Sequence, residues 1–296
     1  MTSTEAFSPT TRKWLDSGRY VSIGDHSVFV FDRGSGPDIL LIHGFPTSGF
    51  DWQETIAKLS SDYRCVSLDL LGFGLSDKPT AWSYSLFQQA DLVESLLAQL
   101  GIKSVHVVSH DMGTSVHTEL LARSQENRLS FDVAASTFLN GSMIKDMATL
   151  TEFQKVLETP SRLHEALAMV SEMMPAYIAG LKRLMRRPEA MTGEIATVTR
   201  EVMEFRDGNL RLPAVYSYVR ERYLHMDRWL GALERAEGPL QFVWGADDPV
   251  ANIEMGRELA RRVPTARFIE LDGVGHFVPI EAPDEVAAAV RSLVLE

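Results

Sequence analysis

Val107-Val108-Ser109-His110-Asp111-Met112-Gly113-Thr114-Ser115 is the stretch that decides the fold. Small β-branched residues run into a helical pattern with almost no loop between them. That is the form of a strand turning sharply into a helix at the carboxyl edge of a sheet. One residue of such a turn sits on strained backbone with its side chain exposed. The residues two before and two after it are crowded by backbone and must be small. Centring the turn on Asp111 places Ser109 and Gly113 at the crowded positions; centring it on Ser109 places Val107 and Asp111 there, and neither fits well. The turn is therefore read with Asp111 at its apex and Ser109 standing where glycine is more usual. An aspartate here would also serve simply as the N-cap of the helix, so the reading depends on what else converges on that edge.

Outward from the turn, short apolar runs alternate with longer helical patterns, the sequence form of a mostly parallel sheet with crossover helices. Strands are expected at 19–23, 27–31, 38–42, 64–69, 104–109, 133–139, 240–244 and 267–271. Helices are expected at 50–59, 86–100, 113–123, 252–263 and 283–295, with a Gly-rich loop at 70–77. The alternation stops between residues 143 and 236, where the pattern is helical and Met-rich and is punctuated by Pro160, Pro175, Pro188 and Pro213. We read 143–236 as a helical cap inserted into an α/β core formed by 1–142 and 237–296.

The chain has 296 residues, 45% of them hydrophobic, which suits one catalytic domain with an insertion. Its formal net charge of −11 provides no basic face for nucleic acid. The cluster Lys182, Arg183, Arg186 and Arg187 reads as a solvated helix face. The single cysteine, Cys65, lies in an apolar strand and reads as a packed thiol. No secretion signal or membrane span is visible, so a cytoplasmic protein acting without a membrane is expected. No metal-ligand spacing occurs, and Gly72-Phe73-Gly74 lacks the strand-to-helix context of a nucleotide loop, so neither metal nor cofactor is expected.

Two further loops and one turn belong to the edge that carries Asp111. Gln241 to Val250 is a strand followed by Asp247 and Asp248; Asp248 is read as the acid that orients a histidine, with Asp247 its competitor. His276, between Gly275 and Phe277 after the last strand, is read as that histidine. His106 and His117 read as structural, and His110 points away by strand alternation. The order Asp111, Asp248, His276 is nucleophile, acid, base. In His43-Gly44-Phe45-Pro46, the Phe45 N–H together with that of Met112 provides an oxyanion hole. Pro46 cannot donate and holds Phe45 extended, and His43 shapes the turn.

With these motifs the chain resembles the α/β hydrolases of the epoxide hydrolase and haloalkane dehalogenase branch. His43-Gly44-Phe45-Pro46, the loop Asp69 to Asp77, Ser109 to Gly113 and Gly275-His276 carry the likeness. A closer likeness, through Phe45-Pro46-Thr47-Ser48, Gly74 to Pro79 and Asp207-Gly208-Asn209-Leu210, is to mesoderm-specific-transcript-like hydrolases. The resemblance implies an eight-stranded, mostly parallel sheet and a carboxylate nucleophile. A carboxylate can attack an sp³ carbon and leave an ester that water cleaves, so alkyl transfer rather than acyl transfer is implied. Epoxide opening then needs a proton donor. The resemblance suggests cap tyrosines, with Tyr218 favoured and Tyr177 as its partner over Tyr216 and Tyr223. A small apolar epoxide and water are the expected reactants. Haloalkane dehalogenation ranks second, because that group carries Asn at the Phe45 position and Trp at the Met112 position. An esterase or lactonase, and a non-catalytic ligand-binding member of the fold, are the remaining readings.

Overall fold

In the computed structural model, which describes residues 6–294, the alternation forms an eight-stranded sheet in the order β1-β2-β4-β3-β5-β6-β7-β8. The strands are β1 (Arg19–Ile23), β2 (His26–Arg33), β3 (Asp38–Ile42), β4 (Arg64–Leu68), β5 (Ser104–His110), β6 (Asp132–Leu139), β7 (Leu240–Gly245) and β8 (Arg267–Leu271). β2 pairs antiparallel with both β1 and β4, and the remaining neighbours are parallel.

The parallel strands are near-continuous apolar runs because helices cover both faces. Alternate residues serve opposite layers. Leu40, Ile42 and Val107 pack with Leu96, Val116 and Leu120 of α3 (Leu86–Gln99) and α4 (Met112–Gln125). Ile39, Leu41 and Val108 pack with Ile56 and Leu59 of α2 (Gln53–Leu59) and with Val286 and Val290 of α14 (Pro283–Val294). Phe242 and Trp244 of β7 pack with Met255 and Leu259 of α12 (Ile253–Arg262). Burial pushes the Cys65 thiol up to about 12, so it is held as a neutral packed group.

Between β6 and β7 the chain passes through seven α-helices: α5 (Glu152–Leu157), α6 (Leu163–Ser171), α7 (Met174–Lys182), α8 (Gly193–Glu204), α9 (Leu212–Val215), α10 (Tyr218–Leu224) and α11 (Met226–Glu234). Polar contacts bind this excursion to the sheet. Glu119 of α4 accepts from Arg228 and from the Trp229 indole of α11. Among the helices not anticipated from sequence is α1 (Pro9–Ser17), whose Trp14 stacks on Phe31 at 4.7 Å between ring centroids. Ser8, its N-cap, bonds Glu201 of α8. Among the described residues, no helix is long and apolar enough to cross a membrane.

The basic cluster is only in part a solvated face: Arg183 and Arg186 are exposed, and Arg187 is not. α7 ends at Lys182, and Arg187 lies beyond it with its guanidinium donating to the carbonyls of Gly273 and Glu281. A cation past a helix end has carbonyls within reach, and here one from the loop after β8 and one from the short helix that follows it take Arg187.

Candidate active site

β5 ends at His110 and α4 begins at Met112, which leaves Asp111 alone on the turn at φ 49° and ψ −115°. A non-glycine residue there is strained, and such strain persists only where the surroundings impose it. Here they do. A Cβ at Gly113 would lie 2.6 Å from the carbonyl oxygens of both Ile42 and His43, and one at Gly44 would lie 2.5 Å from Asp111 Cβ. Ser109, standing where glycine is usual, is accommodated by a bond of 2.9 Å between its Oγ and His117 Nδ1; His117 Nε2 in turn meets Ser136 Oγ at 3.0 Å. Burial holds His117 well below its ordinary proton affinity, so this chain is neutral.

The Asp111 carboxylate divides its two oxygens. Oδ1 accepts the Phe45 N–H at 2.9 Å, while Oδ2 faces His276 Nε2 at 3.8 Å. Met112 occupies the first position of α4, where an N–H has no acceptor inside the helix; its side chain is buried in the core. Beneath Phe45, His43 donates from Nδ1 to Gly44 O and accepts the Leu70 N–H at Nε2. His43 therefore braces the turn and lies behind the site. Phe45 and Pro46 do line the cavity above Asp111.

The loops after β7 and β8 meet at His276, whose Nδ1 lies 2.8 Å from Asp248 Oδ2. Asp248 Oδ1 accepts the N–H groups of Val250 and Ala251, which fixes the carboxylate. Asp247 turns the other way, 3.7 Å from Arg186. Burial alone would lower the proton affinity of His276. The Asp248 carboxylate with its hydrogen bond, and then Asp111, outweigh burial and push it up to about 9.

The model of the α/β hydrolase fold matches residues 37–283 of this chain. The chain belongs to the α/β-hydrolase fold family. It is 41% identical over 291 residues to LipZ of Mycobacterium tuberculosis, named as a hydrolase, covering 98% of this chain and 99% of that one. It is 31% identical over 290 residues to the mesoderm-specific transcript homolog protein of Bos taurus, covering 93% and 85%. Among solved structures, haloalkane dehalogenase DbeA from Bradyrhizobium elkani superposes with a TM-score of 0.77 at 21% identity, over 94% and 99% of the two chains. At that identity the likeness concerns the fold.

In this α/β hydrolase the carboxyl ends of β3, β5, β7 and β8 open into a cavity of about 550 Å³ with Asp111 and His276 at its base. Its walls come from α5, α6 and α7, among them Phe153, Met169, Met173, Tyr177 and Leu181. The two tyrosines favoured from sequence differ in placement. Tyr177 lines the cavity, its ring 4.9 Å from that of Phe153. Tyr218 packs between Phe45, at 5.7 Å between ring centroids, and the Arg222 guanidinium, 5.0 Å over its ring. Burial raises the proton affinity of both hydroxyls, and for Tyr218 the Asp111 charge adds to it while Arg222 opposes it.

Three residues of the hydrolase site escaped sequence reasoning, and a fourth, His110, was read as pointing away although it reaches the histidine loop. Asn140, fully buried after β6, donates to Asp248 Oδ2 at 2.8 Å and accepts the Gly245 N–H. Glu281, in α13 (Val278–Glu281), accepts the N–H groups of Arg186, Arg187, Gly275 and Phe277, clamping the histidine loop to the excursion. His110 donates from Nε2 to the His276 carbonyl at 2.8 Å, and burial pushes it down to about 4, so it is a neutral prop. Arg222 reaches the Asp111 carbonyl from α10. Only a polar residue directly after a strand hinted at Asn140; the others act across distances that no local pattern encodes.

Proposed function

We propose that this hydrolase opens an apolar epoxide through an ester formed on Asp111 and then hydrolyses that ester to a diol. The divided carboxylate carries the reading: Oδ1 is anchored on the Phe45 N–H while Oδ2 is left facing the cavity base beside His276. An oxyanion hole already occupied by the apex side chain suits a nucleophile whose own carbonyl later becomes the tetrahedral centre. The helices of 143–236 act as the cap, and their Met, Leu and Phe side chains favour a neutral apolar substrate.

In the first step Asp111 Oδ2 attacks an epoxide carbon. The C–O bond breaks toward the ring oxygen, which takes a proton from a tyrosine. Tyr177, on the cavity wall, and Tyr218, whose hydroxyl feels the Asp111 charge, are the candidate donors. In the second step His276 removes a proton from water, and the hydroxide attacks Asp111 Cγ. The resulting oxyanion rests on the N–H groups of Phe45 and Met112. Collapse expels the diol alkoxide, which His276 reprotonates. Asp111 is left as the acid and returns its proton to the tyrosinate through solvent.

The charge at Asp111 gives this sequence a direction. The ionised carboxylate helps hold His276 protonated in the free enzyme. Once Asp111 is an ester its charge is gone, and His276, still held by Asp248, gives up its proton more readily when the base is needed.

The test is to replace His276 with Gln, incubate with a styrene-oxide-like epoxide and a haloalkane, and record the intact mass. The expected result is an adduct of the whole epoxide mass, on the peptide holding Asp111 and lost in Asp111→Ala. An adduct of haloalkane minus halide alone would replace the epoxide reading with dehalogenation. Turnover of an ester with no adduct from either probe would overturn alkyl-enzyme chemistry.

A further inference from the structure

Arg222 is an arginine buried to 2% exposure; its guanidinium bonds a hydroxyl and two backbone carbonyls and lies over the Tyr218 ring, 5.0 Å from its centroid. Nε donates to Ser115 Oγ at 2.7 Å, Nη1 to Ser142 O at 3.2 Å and Nη2 to Asp111 O at 3.1 Å. The other deeply buried arginine, Arg123, has Glu119 at 2.9 Å and Asp91 at 2.6 Å. Among the described residues, no carboxylate stands within ion-pair reach of Arg222. Burying a cation without a counter-charge is costly. The face of the Tyr218 ring offsets part of that cost, and a neutral amide could tie a helix to a carbonyl without incurring it, so the charge itself needs a further reason.

Its contact supplies one. The Asp111 carbonyl also accepts Thr114 N–H at 3.1 Å and Thr114 Oγ1 at 2.6 Å, so three donors, one of them cationic, converge on a single oxygen. That oxygen belongs to the same peptide unit as the Met112 N–H. In a planar trans peptide the C=O and N–H point in opposite directions. Drawing electron density onto the oxygen makes the N–H a stronger donor, as in any polarised hydrogen-bonded chain. Met112 N–H, the first of α4, has no acceptor within the helix.

We propose that Arg222 is a positioning residue that strengthens the Met112 N–H as an oxyanion donor, acting through the Asp111–Met112 peptide. The proposal rests on the ester reading of Asp111 above. It assigns Arg222 to one half of the reaction. The oxyanion exists only while the ester breaks down, so the cation assists hydrolysis of the ester and leaves ring opening almost untouched.

The experiment compares Arg222→Gln and Arg222→Lys in the full chain, following ester formation and breakdown separately by rapid quenching and intact mass. Arg222→Gln is expected to slow breakdown roughly ten- to hundredfold, so that ester accumulates although His276 is present, with formation changed by less than about threefold. Arg222→Lys, which keeps a cation, should recover most of the breakdown rate. A fall of both steps together, or a lysine variant as slow as glutamine, would mean that Arg222 merely holds the fold. A second readout needs no substrate. In ¹⁵N-methionine protein, the Met112 amide proton, assigned with Met112→Leu, should move upfield in Arg222→Gln and return in Arg222→Lys. No movement overturns the proposal. Failure of wild type and His276→Gln to form any ester, with the amide shift present, overturns the ester reading and leaves the polarised peptide standing.

Discussion

The floor and the wall of the cavity are built by different rules. On the floor, glycines touch backbone: a Cβ at Gly275 would lie 2.5 Å from Arg186 N and 2.6 Å from Leu184 O, and Gly44 and Gly113 are equally hemmed in. Every carboxylate oxygen of Asp248 and Glu281 is engaged. On the wall, Met173 is 53% exposed, and a Cβ at Gly180 would meet nothing closer than the guanidinium of Arg183, at 3.5 Å. The floor is over-determined by the backbone; the wall is set by a few soft side chains. Chemistry on this fold is therefore hard to move by single substitutions, and substrate choice is easy to move.

The sharpest way to break the comparison is to make one substitution, glycine to alanine, on both surfaces. Gly113→Ala is expected to have the largest effect. Its Cβ would stand 2.6 Å from two backbone oxygens, neither of which is the end of a flexible chain. Either α4 or the end of β3 must shift, displacing Asp111. A loss of about 3 kcal/mol or more in denaturant unfolding, with turnover lost, is expected. A stable and active Gly113→Ala would show that the floor has more slack than its contacts imply.

That same crowding made the floor legible in sequence. A strand entering a helix without a loop leaves room only for small residues around the apex, so Ser109 and Gly113 identified the turn at Asp111. The alternation of strand and helix fixed the parallel sheet and the interruption at 143–236. What stayed hidden acts through the third dimension. Asn140 meets Asp248 across a sequence separation of 108 residues, and Arg222 meets Asp111 across 111. Arg187 was misread because nothing local reveals that the carbonyls of Gly273 and Glu281 lie beside it. Tyr177 and Tyr218 look alike in a helical pattern; packing against Phe153 or between Phe45 and Arg222 separates them.

A smaller effect sharpens the account of the floor. Asp111, 3.8 Å from His276, is one of the charges that push the imidazole up to about 9. Asp111→Asn removes that charge with little change of shape. The imidazole titration, followed by NMR, is expected to move down by about one unit or more. The sign for stability follows. A group whose proton affinity is raised on folding stabilises the fold fully below its ordinary value of 6.5 and ceases to do so as the pH rises through about 9. In Asp111→Asn that contribution should be smaller and its loss complete at a lower pH. An unmoved titration would mean that Asp248 alone governs His276, and that ester formation does not release the base.

The smallest effect is expected on the wall, and it carries the opposite sign. Gly180 lies inside α7, where glycine costs the helix about 1 kcal/mol relative to alanine. Its backbone does not lie in the left-handed region, and no neighbour forbids a methyl group. Gly180→Ala should therefore raise the unfolding free energy by about 0.5–1 kcal/mol, against the large loss at Gly113. Because Gly180 lines the cavity, the added methyl takes space from the substrate. Turnover of small epoxides should be unchanged, while bulkier ones should show a higher KM. If stability rises and every substrate behaves as before, the bound molecule does not reach α7, and the choice of substrate rests with α5 and α6 instead.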